Sequence, residues 1–141
     1  ELGCSIGVLT RHLAVRCDRL VAIDISDAAL IQARERCADL PHVRFERRDI
    51  TAEFPDGRFD LVLVSEVGYY LASGDLERLR DRIAHALAPH GQLLLVHYTG
   101  ETNYPLSGDA VHDCFRAHTM RWRLVQGKAD TQYRLDLFEV R

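Results

Sequence analysis

Short continuous apolar runs alternate along this chain with stretches whose apolar residues recur at helical spacing, and the alternation predicts a strand–helix–strand order. Leu20–Asp24 (Leu-Val-Ala-Ile-Asp) is a short apolar strand, and Val43–Arg47 is a further strand, ending just before Asp49-Ile50. Phe59–Ser65 (Phe-Asp-Leu-Val-Leu-Val-Ser) is nearly all apolar, as a parallel strand buried on both faces would be. Helical spacing covers Val8 to Val15. A second helix, capped by Ser26 or Asp27, runs to about Cys37, with apolar residues on one side and Gln32, Arg34 and Glu35 on the other. A third starts at Asp75 or the turn before it and runs through Leu87. Pro89-His90-Gly91 then breaks it ahead of a strand over 92–98. Ser107-Gly108-Asp109 starts a fourth helix toward His118. Two late strands, 121–126 and 132–140, flank a polar turn and suit an antiparallel hairpin at the sheet edge.

This order predicts an α/β domain: a doubly wound, mostly parallel sheet ending in an antiparallel C-terminal hairpin strand. Ligands should lie beyond the carboxyl ends of its strands. A sheet of this kind needs a further strand immediately before Glu1, so the first strand is expected to precede the chain. With 141 residues, 47% of them hydrophobic, the chain suits a single domain, 1–141, with one core. The formal charge of −3 argues against a general nucleic-acid binder, which would carry a basic stripe. Arg44, Arg47 and Arg48 are read as a solvated strand end. No segment has the length of a membrane span. Cys4, Cys17, Cys37 and Cys114 form no C-x-x-C pair and no zinc-like spacing with histidine, so no metal site is expected. They are read as small buried residues in a reducing cytoplasm.

The candidate chemistry begins at Glu1-Leu2-Gly3-Cys4-Ser5-Ile6-Gly7, a glycine-rich turn that leads into the first helix. Gly3 lets a ligand approach the main chain closely, and the helix that follows Gly7 offers unpaired N–H groups and partial positive charge to a carboxylate or phosphate. The dinucleotide fingerprint G-x-G-x-x-G is absent, which demotes a nicotinamide enzyme. Asp24 ends the next strand, where its carboxylate can accept from both hydroxyls of a ribose, with Ile25 beside it. Asp49 can accept from an adenine amino group while Ile50 packs on the ring; the plain alternative for Asp49 is an Asx turn. Ser65-Glu66 and His97-Tyr98 lie at further strand ends. Glu66 or His97 could serve as a base toward an amine acceptor. Tyr69 and Tyr70 suit a sugar face or a cation.

E-x-G-x-x-x-G followed by an acidic strand tip resembles the first two motifs of class I S-adenosylmethionine (SAM)-dependent methyltransferases, with Ser5 where many members have another glycine. Leu2 to Thr10, Ser65-Glu66-Val67-Gly68-Tyr69-Tyr70-Leu71, Tyr104-Pro105-Leu106-Ser107-Gly108-Asp109-Ala110-Val111-His112 and Tyr133-Arg134-Leu135-Asp136-Leu137-Phe138 together resemble the nodulation protein S (NodS) family. The resemblance implies a Rossmann-like fold and a SAM-dependent N-methyltransferase. Its acceptor would be the free amine at the non-reducing end of a deacetylated chitooligosaccharide. It places the cofactor at Gly3, Cys4, Ser5, Gly7, Asp24, Ile25, Asp49, Ile50, Ser65 and Glu66. The acceptor falls against Tyr69, Tyr70, His97, Tyr98, Asn103 and Tyr104. Gly68 departs from the bulkier residue expected before the paired tyrosines. Two other readings stand beside this one: a methyltransferase with a different small-molecule acceptor, and a SAM-binding module without catalysis.

Overall fold

The computed structural model describes residues 1–141, which divide into two compact units, Glu1–Pro55 and Asp56–Arg141. In the first unit helix α1 (Val8–Ala14) is followed by strand β1 (Leu20–Asp24), helix α2 (Asp27–Arg36) and strand β2 (Val43–Arg47). The two strands pair in parallel, with Leu20 opposite Val43 and Asp24 opposite Arg47. Leu2 forms a parallel bridge to Ile23, so the residues before the glycine turn also run alongside β1. Ser26 starts α2 by accepting from the Ala29 N–H at 3.2 Å, leaving Asp24 free of the capping role. Cys4, Ala22 and Leu30 form a core against which Phe45 packs.

Gly7 caps α1 in the left-handed region at φ 79°. A β-carbon there would stand 2.9 Å from both the Cα and Cβ of Ala33. Glycine is therefore required twice over at this position, by its dihedral and by the closeness of α1 to α2.

The second unit holds strand β3 (Phe59–Ser65), a 3-10 turn (Gly68–Tyr70), helix α3 (Ser73–Ala86), strand β4 (Leu87–Tyr98), helix α4 (Gly108–Arg116) and strands β5 (Trp122–Ala129) and β6 (Tyr133–Val140). The strand order is β3-β4-β6-β5. β3 and β4 are parallel, whereas β6 is antiparallel to both of its neighbours. The C-terminal hairpin is thus as expected, but its second strand lies inside the sheet and only β5 is at the edge.

The Pro89-His90-Gly91 break falls elsewhere than predicted. Phe59 pairs with Leu87 and Leu61 with Gln92, so residues 88–91 bulge out of a strand that has already begun. Proline has no N–H for a ladder and His90 sits at φ 62°, and a bulge accommodates both. The core here is built on Trp122, which stacks on Phe115 at 5.8 Å and donates from its indole nitrogen to the Phe115 carbonyl at 2.9 Å. No helix is long and apolar enough to cross a membrane.

Candidate functional site

The glycine turn of the first unit is held in an unusual backbone path. Gly3, Ser5 and Gly7 all have positive φ, of 75°, 50° and 79°. Ser5 is the residue that replaces a common glycine, and a left-handed dihedral costs a side-chain-bearing residue about 1 kcal/mol. It is kept there by Asp24, whose Oδ2 accepts the Ser5 N–H at 2.8 Å. Oδ1 of the same carboxylate accepts from Ser26 N–H at 2.9 Å. Each oxygen keeps a second lone pair, and the residue is half-buried, so the carboxylate is both aimed and reachable. Ile25 beside it is 60% exposed, an apolar surface next to the acid.

Cys4 is buried, and burial followed by the charges of Glu1 and Asp24 pushes its thiol up to about 12. It is a packing residue of the turn. Of the remaining cysteines Cys37 is buried, Cys114 half-buried and Cys17 exposed, so the expectation of uniform burial fails at Cys17. The arginines near β2 are paired rather than solvated alone. Glu46 bridges Arg44 and Arg48 at 2.7 and 2.6 Å, and Arg47 meets Asp27 at 3.3 Å. Asp49 accepts from both the N–H and the hydroxyl of Thr51, at 2.9 and 2.7 Å, which is the Asx turn. Ile50 is buried.

In the second unit the polar groups gather at the ends of β3 and β4. Ser65 is half-buried, opposite Val96 in the ladder. Glu66 follows at φ 56°, a left-handed dihedral for a residue with a side chain. Such outliers persist where the surroundings over-determine them, and they cluster at functional sites. Here the Glu66 N–H donates to the Val96 carbonyl at 2.9 Å. Its Oε1 accepts from the Tyr98 N–H at 2.9 Å, and its Oε2 accepts from the Tyr69 hydroxyl. Burial first, and the hydrogen bond to Glu66 second, push the Tyr69 hydroxyl pKa upward, so it stays a donor. Tyr104 stacks on Tyr69 at 4.9 Å and tilts against Tyr70 at 4.4 Å. Hydrogen bonding to Tyr104 also raises the Tyr70 pKa. Tyr70, Tyr98 and Tyr104 are 51%, 41% and 41% exposed, so part of each residue is in contact with solvent. Asn103 is exposed in the same loop, which lines a cavity of about 650 Å³ between Thr99 and Ser107. Neither Glu66 nor Tyr69 lines that cavity.

His97 is placed differently from the other candidates. It is fully buried, its Nε2 accepts from the Gly68 N–H at 3.1 Å, and its Nδ1 faces His112 Nε2 at 3.2 Å. Burial, then the neighbouring His112, lowers its pKa to about 3. Both ring nitrogens are committed inside the protein, so His97 is not offered to an acceptor. His112 and Asp136, also fully buried, extend the same chain of contacts, and sequence reasoning gave neither a role. The available signal was period two in β6, which puts Asp136 on the same buried face as Phe138.

Residues 1–91, the span of the glycine turn, Asp24, Glu66 and the tyrosine pair, match the family model described as a methyltransferase domain. The chain belongs to the methyltransferase domain family. Nodulation protein S of Rhizobium tropici is 35% identical over 97 residues, 67% of this chain and 40% of that protein. The chain therefore spans about two fifths of that relative's length. A protein of known structure from Pseudomonas syringae, described as a candidate methyltransferase, is 38% identical with a TM-score of 0.85, covering 97% of this chain and 83% of that one. The N-methyltransferase NodS of Bradyrhizobium japonicum WM9, solved with S-adenosyl-L-homocysteine, has a TM-score of 0.86 at 24% identity, covering 99% of this chain and 75% of NodS. The Rossmann-like, mostly parallel α/β fold expected from the sequence is the fold of these methyltransferases.

Proposed function

We propose that residues 1–141 act as one methyltransferase domain that binds SAM and methylates the nitrogen of an amine acceptor. The acceptor read from the NodS resemblance is the free amine at the non-reducing end of a deacetylated chitooligosaccharide. The cofactor half rests on the first unit. The positive-φ turn of Gly3, Ser5 and Gly7 leaves main chain open to close approach, and Asp24 has one lone pair per oxygen for a ribose hydroxyl. Ile25, exposed next to Asp24 in the sequence, is suited to an adenine face, and the buried Ile50 follows Asp49 as the second apolar residue assigned to the ring. Bound SAM supplies a methyl carbon already activated on a sulfonium, so the protein's task is alignment and exclusion of water.

The observation that carries the acceptor half is Glu66, held left-handed with both oxygens engaged beside the Tyr69–Tyr70–Tyr104 cluster. A carboxylate pinned in this way orients an N–H group through its remaining lone pairs. The attacking nitrogen must be neutral, and its departing proton passes to Glu66 or to water. The partly exposed tyrosines Tyr70 and Tyr104 suit the apolar side of a sugar ring or the positive charge that grows on the nitrogen.

Mass spectrometry of the protein with SAM and a chitooligosaccharide deacetylated only at its non-reducing end tests the reading. One added methyl on that sugar, and none on the fully acetylated control, is the expected outcome. No product with S-adenosylhomocysteine still bound would discard the amino sugar and keep the cofactor half. Asp24→Ala is expected to weaken cofactor binding by about 10- to 150-fold, the equivalent of charge-assisted hydrogen bonds of about 1.5–3 kcal/mol. Calorimetric titration with S-adenosylhomocysteine measures this, and an unchanged affinity would remove Asp24 from the site.

A further inference from the structure

Behind the Gly68–Tyr70 turn runs a buried chain of hydrogen bonds that no step of the proposed reaction uses. The Gly68 N–H meets His97 Nε2 at 3.1 Å, His97 Nδ1 meets His112 Nε2 at 3.2 Å, and His112 Nδ1 meets Asp136 Oδ2 at 2.7 Å. Arg116 closes the chain with two bonds to the Asp136 carboxylate, at 2.9 and 2.6 Å. Arg134 lies 3.3 Å from the same carboxylate and pairs with Asp109 and Asp113 at 3.0 Å. The chemistry of the two ends sets the direction of every bond between them. A backbone N–H can only donate, so His97 Nε2 is an acceptor and the ring proton is assigned to Nδ1. His112 then accepts at Nε2 and donates from Nδ1 to a carboxylate that can only accept.

We propose that His112 and Asp136 are positioning residues: they hold His97 in the Nδ1–H tautomer and thereby fix the turn that carries Tyr69, Tyr70 and, next to it, Glu66. The proposal rests on the reading of those residues as the acceptor site. Geometry ties the turn to the ring closely. A β-carbon on Gly68 would lie 3.0 Å from His97 Nε2 and 2.7 Å from a Val111 methyl. The room that a bulkier residue at 68 would take is thus filled by the imidazole and Val111, which accounts for the glycine in that place. The Tyr69 ring also packs edge-on against His97 at 5.3 Å and 74°. With the opposite tautomer, Nε2–H would face the Gly68 N–H, two donors against each other, and the turn would have to move.

The test pairs His112→Gln, whose side-chain carbonyl can still accept from His97 Nδ1–H, with His112→Leu, which cannot. Nitrogen-15 NMR of the unmodified protein should show His97 protonated at Nδ1, a reading that needs no variant. The Gly68 amide resonance should shift in the leucine variant and stay close to its original position in the glutamine variant. In methyl-transfer assays the leucine variant should raise the acceptor KM about tenfold, the cost of one lost buried hydrogen bond, with S-adenosylhomocysteine affinity unchanged. An Nε2–H tautomer of His97, a Gly68 resonance indifferent to both variants, or equal effects of glutamine and leucine would each overturn the proposal. The NMR readings do not depend on turnover. Failure to methylate any amine would sink the proposed function while the tautomer and the amide shift still decide this inference.

Discussion

Asp136→Ala should lower the unfolding free energy by about 3–5 kcal/mol, the range for removing one partner of a buried ion pair. Burial pushes the Asp136 carboxyl pKa up, but the hydrogen bonds from Arg116 and His112 outweigh it and hold it below the usual carboxylate range. The carboxylate is fully buried. Its loss would leave the His112 Nδ1–H without an acceptor and Arg134, whose side chain is 12% exposed, with only its outer aspartates. Arg116 is 40% exposed and can turn to water, which places the expected cost nearer the lower figure. Asp136→Asn keeps an acceptor for His112 and should cost less. Urea denaturation measures both. Equal, small shifts of the midpoint would mean that the carboxylate contributes nothing that an apolar filling could not.

The contrast between Asp24 and Asp136 shows what could be read from the sequence. Asp24 ends an apolar run, just where a parallel strand delivers a side chain to the ligand end of a sheet, so its place was legible. β1, β2 and β3 match their predicted bounds: β1 and β3 are short, mainly apolar runs, and β2 (Val-Arg-Phe-Glu-Arg) alternates apolar Val43 and Phe45 with charged residues. β4 does not, because Pro89 and Gly91 look alike in a loop and in a bulge; only the register distinguishes them. The inner place of β6 was also hidden, since strand order is set by long-range pairing and not by local pattern. The buried histidine–aspartate chain joins α4, β4 and β6. Its members are 15 and 24 residues apart in sequence, with no spacing that announces them. Glu66 was legible as a strand end, but its left-handed backbone and its hold on Tyr69 were not, and these turn a candidate base into an oriented hydrogen-bond acceptor.

Acid should destabilise this protein well before ordinary carboxylates titrate. In the folded chain His97 stays neutral, because burial and the adjacent His112 lower its pKa from 6.5 to about 3. Burial lowers His112 as well, against the opposing pull of Asp136. The unfolded chain takes up these protons near pH 6.5 and the folded chain does not. Stability is therefore fully present above pH 6.5 and is lost as the pH falls toward 3. Each such proton is worth about 1.4 kcal/mol per pH unit, so His97 alone should remove on the order of 3 kcal/mol by pH 4. Asp136 adds to the loss at lower pH, since its folded pKa lies below that of the unfolded carboxyl. The groups facing the two rings are the Gly68 N–H, Tyr69, Asp136 and, through Asp136, Arg116 and Arg134, none of which offers an added proton a carboxylate that is not already engaged. Urea midpoints recorded from pH 7 to pH 4 should fall steeply for the unmodified protein. They should fall less in His97→Gln, which can accept from Gly68 and donate to His112 without titrating. A slope as steep in that variant would place the acid sensitivity outside His97.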